Sequence, residues 1–291
     1  MRPSILFTVD VEDWFQVENF KSSIAYDSWD RQEFRVANTV CRLLDLLDEC
    51  ADGKKGTFFV LGWIAKKSPD MVREIYRRGH EVASHGMRHI LYNIGLPSRA
   101  LITDLKDSKE LLEDIVGAEV HGFRAPSFSV TNDVLDMIKS CGYLYDSSHN
   151  SFDRHGRYGK LILRSQSPDG LGLKLDSRFY EIPISNFKMG GQVVPAGGGG
   201  YFRFFPFFMF HFFVRRIIRE QGVYMFYMHP WEIDPNQPKV RKAKWSSKFR
   251  HYVNLKNNHK KLRKFLSATR RARYLTCIEY VEQHLKAGTA A

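Results

Sequence analysis

Two short segments hold side chains of the kinds that bind metals and move protons. Ser84-His85-Gly86-Met87-Arg88-His89 sets two imidazoles four residues apart, so a helical turn or tight loop would bring both to one metal ion. Gly86 stands where a zincin-type motif carries its glutamate, and a general base must therefore come from elsewhere. Ordinary surface or core histidines are the alternative reading of such a pair. Thr8-Val9-Asp10-Val11-Glu12-Asp13-Trp14 crowds three carboxylates together, which repel one another unless a cation or an arginine neutralises them. Two histidines and one carboxylate leave positions open for water and substrate. That donor set suits a divalent metal, zinc foremost, with cobalt, iron, manganese or nickel as alternatives. A solvent-exposed acidic turn is the alternative here.

Alternation along an extended strand puts Asp10 and Glu12 on one side and Asp13 on the other. Glu12 is the preferred third ligand if the strand persists that far, and Asp13 takes its place if the strand ends at Asp10. Arg124, in Phe123-Arg124-Ala125-Pro126-Ser127-Phe128, can hold Asp10 by a bidentate pair and keep it ionised. His229 ends the apolar run Val223–Met228 and is a candidate proton donor to a leaving group, with a satisfied core histidine as the alternative.

These residues need elements to bring them together. Short β-branched or aromatic runs near 4–9, 56–61, 80–84, 120–124, 143–146, 178–183 and 223–228 alternate with helical patterns near 34–49, 69–78, 98–115, 132–140 and 205–220. Ser68-Pro69-Asp70 offers a cap, a first-turn proline and an early acid, with Gly79 to close that helix. Thr131 can cap the helix that Gly142 ends. About seven strand–helix units imply an α/β fold, either a closed or nearly closed barrel or an open doubly wound sheet. Asp10, His85, Arg124, Asp146 and His229 all fall at the ends of predicted strands, where parallel barrels assemble their active sites. The stretches 149–177 and 186–200 lack periodicity and are expected to be long loops that act as lids or binding loops.

At 291 residues, 43% apolar and 14% aromatic, the chain can bury a large core without disulfides, and its four scattered cysteines suggest reduced structural thiols. Acidic residues arrive too early for the apolar core of a signal peptide, which predicts a cytoplasmic protein. The apolar stretch 201–218 is interrupted by Arg203, Pro206, Arg215 and Arg216, which argues against a bilayer-spanning helix but not against contact with a membrane surface. The net charge of +12 is concentrated after residue 238. A tail of this kind suits anionic partners: phospholipid headgroups at the inner face of the membrane, an acidic glycan, or, ranked last, nucleic acid. A merely solvated basic face is the alternative.

In this order the segments resemble the polysaccharide deacetylases of carbohydrate esterase family four, the NodB-homology group. The motifs span residues 8–232. The resemblance implies a distorted (β/α) barrel of about seven parallel strands, with a deacetylase barrel over 1–237 and a basic C-terminal extension over 238–291 that packs on the barrel or continues it. It implies a base and a metal ligand from Asp10 with Glu12 or Asp13, and metal ligands His85 and His89. It further implies that Arg124 orients the base, that Pro126 and Asp146 face the substrate groove, and that His229 is the acid. Tyr201 and Trp231 would offer flat surfaces to sugar rings. The sequence departs from the family pattern where Asp10-Val11-Glu12-Asp13 replaces an adjacent Asp pair, at Gly86 in place of Ser or Thr, and at Tyr227 in place of Leu. The strings Asp-Val-Glu-Asp-Trp-Phe, Gly-Gly-Gly-Tyr-Phe-Arg (198–203) and His-Pro-Trp-Glu-Ile-Asp-Pro (229–235) look like the bacterial branch associated with exopolysaccharide and exosortase gene clusters. The implied reaction is hydrolysis of N-acetyl groups from a glycan or its lipid-linked precursor. A non-catalytic carbohydrate-binding protein on the same barrel is the alternative.

Overall fold

A computed structural model describes residues 2–50, 53–152, 159, 161 and 171–285. Much of the stretch 153–170 of the first expected loop, and the last residues of the basic extension, 286–291, lie outside it.

The apolar run at the N-terminus forms β1 (Ser4–Val11), buried along its whole length because neighbours cover both faces. In chain order there follow α1 (Val36–Cys50), β2 (Thr57–Val60), α2 (Gly62–Lys67), α3 (Pro69–Arg77), β3 (Glu81–Ser84), α4 (Ser98–Val116), β4 (Gly122–Phe123), α5 (Asn132–Ser140) and β5 (Tyr145–Asp146). Then come β6 (Leu173–Asp176), β7 (Phe179–Glu181), β8 (Phe187–Met189), β9 (Gln192–Val194), α6 (Gly199–Phe204), α7 (Phe207–Gln221) and β10 (Val223–Met228). The basic region contributes α8 (Trp245–Tyr252), α9 (Leu255–Ala268), β11 (Arg273–Leu275) and α10 (Cys277–Tyr280).

Seven strands lie parallel in the order β10-β1-β2-β3-β4-β5-β7, with β6 antiparallel at the far edge. The sheet curls into a half-barrel with helices outside. Between β7 and β10 the wall is not a continuous ladder. It is bridged at Gly198 and Tyr227, and by Met225 donating its backbone N–H to Ser185 Oγ. The doubly wound alternative is thereby set aside.

Strand alternation divides the interior. Ile5, Phe7 and Val9 point to the helical layer, while Leu6 joins Phe59, Ala83, Tyr145, Tyr180 and Met225 inside the curl. Thr8 and Asp10 share the parity of Leu6, so β1 delivers polar groups to the inner face at its C-terminal end.

Two local expectations changed. Ser68 makes no side-chain cap, although Pro69 opens α3, whereas the Thr131 hydroxyl does accept the Val134 N–H. The stretch 186–200 is not a structureless loop, because it holds the β8–β9 hairpin and then a glycine run pressed against β10. A Cβ on Gly198 (φ +131) would lie 2.0 Å from the Tyr227 carbonyl oxygen, and one on Gly199 (φ +54) 2.8 Å from the Tyr227 ring. Only glycine lets the two backbones approach this closely. Residues after 238 extend the sheet: β11 pairs in parallel with the N-terminal half of β1, from Ser4–Arg273 to Leu6–Leu275, and α9 packs on α1. Among the described residues no helix is long and apolar enough to cross a membrane, and the four cysteines are free.

Candidate active site

At the C-terminal end of β1 the backbone turns, with the Glu12 N–H donating to the Asp10 carbonyl. The strand persists to Val11, so Glu12 keeps the side of Asp10. Its Oε1 lies 3.0 Å from His85 Nε2, 2.9 Å from His89 Nε2 and 3.8 Å from His229 Nε2. Ligand atoms of Glu12, His85 and His89 all lie within 4.8 Å of one another, and all three residues are buried.

Asp13 goes elsewhere. Its carboxylate accepts the N–H groups of Trp14, Arg35 and Val36 at 2.8, 2.7 and 2.9 Å, which satisfies the first turn of α1. Burial pushes Asp13 up to about 6 against those three donors. The Asp13 lone pairs are thus committed to the α1 N-terminus, and Glu12 is the carboxylate that meets the two histidines.

Whether the trio fits a cation can be judged from His85. Its Nδ1 faces the Arg124 carbonyl oxygen at 2.7 Å, an atom that can only accept, so Nδ1 carries the hydrogen. A neutral ring then turns the lone pair of Nε2 toward the Glu12 carboxylate. Two lone pairs facing each other at 3.0 Å require a proton or a cation between them. The donor set of two imidazole nitrogens and a carboxylate oxygen fits a divalent transition metal.

The segment 85–89 is held from behind. Asp104 on α4 accepts the Met87 N–H and the Tyr92 hydroxyl, both at 2.7 Å, and the Arg88 Nε at 3.3 Å. Gly86 has φ +75, and a Cβ there would meet Asp104 Oδ2 and the Tyr92 hydroxyl at 2.9 Å. That accounts for glycine at this position. His89 itself sits at φ 53, in the left-handed region.

Arg124, fully buried, donates from Nη1 to Asp10 Oδ1 at 2.7 Å and to Thr8 Oγ1 at 2.8 Å. Its Nε and Nη2 are taken by the Ser147 carbonyl and hydroxyl. The expected bidentate pair is thus a single contact, because the other half of the guanidinium is spent on β5's downstream loop. Asp10 Oδ2 takes no hydrogen bond among the described residues, and Asp10 lines the cavity.

His229 follows β10. Its Nδ1 meets Glu232 Oε1 at 2.8 Å, leaving Nε2 directed toward Glu12. Burial would lower the imidazole, but Glu12, Glu232 and Asp10 outweigh it and raise it to about 9. Burial would likewise raise Glu12, yet the charges of His89 and His229 and the bonds from His85 and His89 hold it well below the usual carboxylate range. Glu232 is anchored by Arg203 Nε at 2.9 Å. Arg203 also donates to the carbonyls of His251, Val253 and Arg250 at 2.7, 3.0 and 3.0 Å. The end of α8 thus holds Arg203, Arg203 holds Glu232, and Glu232 orients His229. Sequence reading missed this chain and the Asp104 anchor. The Glu232 signal was present as a His-Pro-x-Glu capping spacing.

Of these groups Asp10, Glu12, His89, Arg203, His229 and Glu232 line a cavity of about 330 Å³. Tyr201 and Trp231 lie in its wall; Trp231 stacks between His229 at 5.3 Å and His251 at 4.1 Å. Phe249, Arg250 and Val253, from the basic region, line it too. Two expected groove residues do not. Pro126 is buried behind Ser127 and Phe128, which take its place in the wall. Asp146 is wholly buried, accepting the N–H and hydroxyl of Ser148 beside the equally buried Glu181, because strand alternation from Tyr145, inside the curl, turns it to the other face of β5.

Residues 21–145 match the family model described as polysaccharide deacetylase, and residues 147–281 match a domain of unknown function, DUF3473. A peptidoglycan-N-acetylglucosamine deacetylase of Bacillus cereus is 31% identical over 102 residues, covering 35% of this chain and 46% of that protein. A peptidoglycan deacetylase-like protein of Gibberella zeae is 31% identical over 115 residues, covering 39% of this chain and 33% of that one. The chain thus spans less than half the length of these relatives. A polysaccharide deacetylase-like structure from Mycobacterium smegmatis superposes with a TM-score of 0.59 at 19% identity, over 98% of this chain and 91% of that one, and shares its fold.

Proposed function

We propose that this chain is a metal-dependent carbohydrate de-N-acetylase, releasing acetate from an N-acetylated sugar. The observation that carries the reading is the convergence of Glu12, His85 and His89 beside an arginine-held Asp10 and a protonatable His229, with Asp10, Glu12, His89 and His229 lining one cavity. The similarity of residues 21–145 to polysaccharide deacetylases supports it.

Glu12, His85 and His89 would hold a divalent cation, zinc first among the candidates, which would polarise an acetamide carbonyl and make water more acidic. Asp10, with one oxygen pinned by Arg124 and the other toward the cavity, takes a proton from the attacking water. His229, whose Nδ1 is fixed by Glu232, hands a proton from Nε2 to the departing amine. Tyr201 and Trp231 bound the space for a pyranose ring.

The substrate would be a bacterial exopolysaccharide or its lipid-linked precursor, in line with the strings at 198–203 and 229–235, and the basic region would meet an anionic membrane surface. The test is acetate release from N-acetylated oligosaccharides by protein loaded with zinc, cobalt or manganese. Protein that retains metal and binds the glycan but releases no acetate would be the non-catalytic binding module instead.

A further inference from the structure

We propose that the aromatic and basic face at the cavity mouth is an interfacial binding surface for an anionic lipid bilayer. Phe204, Phe208 and Phe212 recur every four residues across the α6–α7 junction and are all exposed, Phe208 to 77%. Nearby on the molecule, Trp245 of α8 is 76% exposed and stacks on the exposed Phe249 at 5.6 Å. Phe204 and Phe249 both line the cavity, so the two aromatic groups meet at its mouth.

A surface helix ordinarily buries its apolar stripe and exposes charge. α7 does bury Phe210, Phe213, Val214 and Ile217, but its outward face opens with phenylalanines and turns basic only at Arg215, Arg216 and Arg219. Around α8 the exposed companions are Arg241, Lys242, Lys244 and Arg250. No Asp or Glu occurs between Glu181 and Glu220, nor between Asp234 and Glu279. Exposed aromatics interspersed with cations, on stretches that carry no carboxylate of their own and with the part-buried Glu18 beside Lys21 the acid of the neighbouring turn, match the headgroup layer of a bilayer, where rings sit at the acyl boundary and cations meet phosphates. A second copy of the chain would set these cations against their own kind. An anionic bilayer offers apolar and negative groups in one plane.

Since the mouth shares this face, a glycan carried on a lipid would enter from the bilayer side. That corollary rests on the deacetylase reading; the surface itself does not.

The test is co-sedimentation of the full chain with phosphatidylcholine vesicles, with and without phosphatidylglycerol. Binding should be at least about tenfold stronger with the anionic lipid, since each cation near the surface contributes roughly fivefold. Phe208→Ala with Trp245→Ala should weaken it about tenfold through the lost apolar insertion. Neither residue lines the cavity, so acetate release from a soluble chitin oligosaccharide should be unchanged. Absent binding to either vesicle, binding indifferent to phosphatidylglycerol, or binding undiminished in the double variant would overturn the proposal. So would a dimer that the same substitutions dissociate, since a second copy would then cover the face. Vesicle binding without acetate release would count against the deacetylase reading alone.

Discussion

Glu12 Oε1 stands 3.0 Å from His85 Nε2, while the other nitrogen of that ring is committed to the Arg124 carbonyl. Removing either partner should abolish tight metal retention. His85→Ala and Glu12→Gln are each expected to weaken zinc binding by about a hundredfold or more, since a two-ligand remnant loses chelation. Titration calorimetry on chelator-stripped protein reads this directly. Asp13→Asn, by contrast, should retain the metal while lowering stability by about 1 kcal/mol through a weakened α1 cap. Metal loss in Asp13→Asn with retention in Glu12→Gln would reverse the assignment.

Asp10 touches Arg124 but none of the three candidate ligands in the hydrogen-bond network. Asp10→Asn should therefore keep the metal and lose turnover by roughly a hundredfold to ten-thousandfold, the usual weight of a general base. Metal content and acetate release measured on the same preparation separate this from a ligand role.

His229 is raised to about 9, so its protonated, donor form predominates below that pH. A cation bound at Glu12 offsets the first of the charges that raise His229, so in the metal-loaded protein activity should fall at a pH below about 9 as His229 loses its proton. Glu232 is one of the groups raising it, so Glu232→Gln should move this alkaline limb toward lower pH. An unmoved limb would mean that another group sets it.

Arg203 and Glu232 are each only 2% exposed at the side chain. Arg203→Met leaves a buried carboxylate without its partner, which costs about 3–5 kcal/mol, measurable by denaturant unfolding. Arg203→Lys should restore part of the stability but less of the activity, since one ammonium cannot hold Glu232 and three carbonyls of the 250–253 segment together.

Gly86→Ser would install the residue type common in the resembled family. Here it should destabilise by about 1–3 kcal/mol, because φ +75 and the crowding by Asp104 and Tyr92 both oppose a Cβ. Pairing it with Asp104→Ala should relieve the crowding though not the backbone strain.

Much of this molecule was legible before any tertiary structure. Hydrophobic periodicity located seven of the eight parallel strands among the described residues, missing only the three-residue β11, and five of the main helices, because a strand covered on both faces and a helix with one buried stripe leave different spacings in the chain. Period-two alternation also favoured Glu12 over Asp13, and β1 does run on to Val11.

What the chain alone could not settle was which polar groups face one another across long separations. Asp13 and Glu12 are neighbours of like chemistry, and only the position of the α1 N-terminus, more than twenty residues on, draws Asp13 away. Asp146 ends a strand as the other site residues do, yet β5 buries it beside Glu181. Arg203 reads in sequence as an interruption of an apolar run. It becomes the support of Glu232 and His229 because α8 brings three carbonyls to its guanidinium. Local pattern sets each element's buried face, but the partners of a buried charge are chosen by packing, which has no short-range signature.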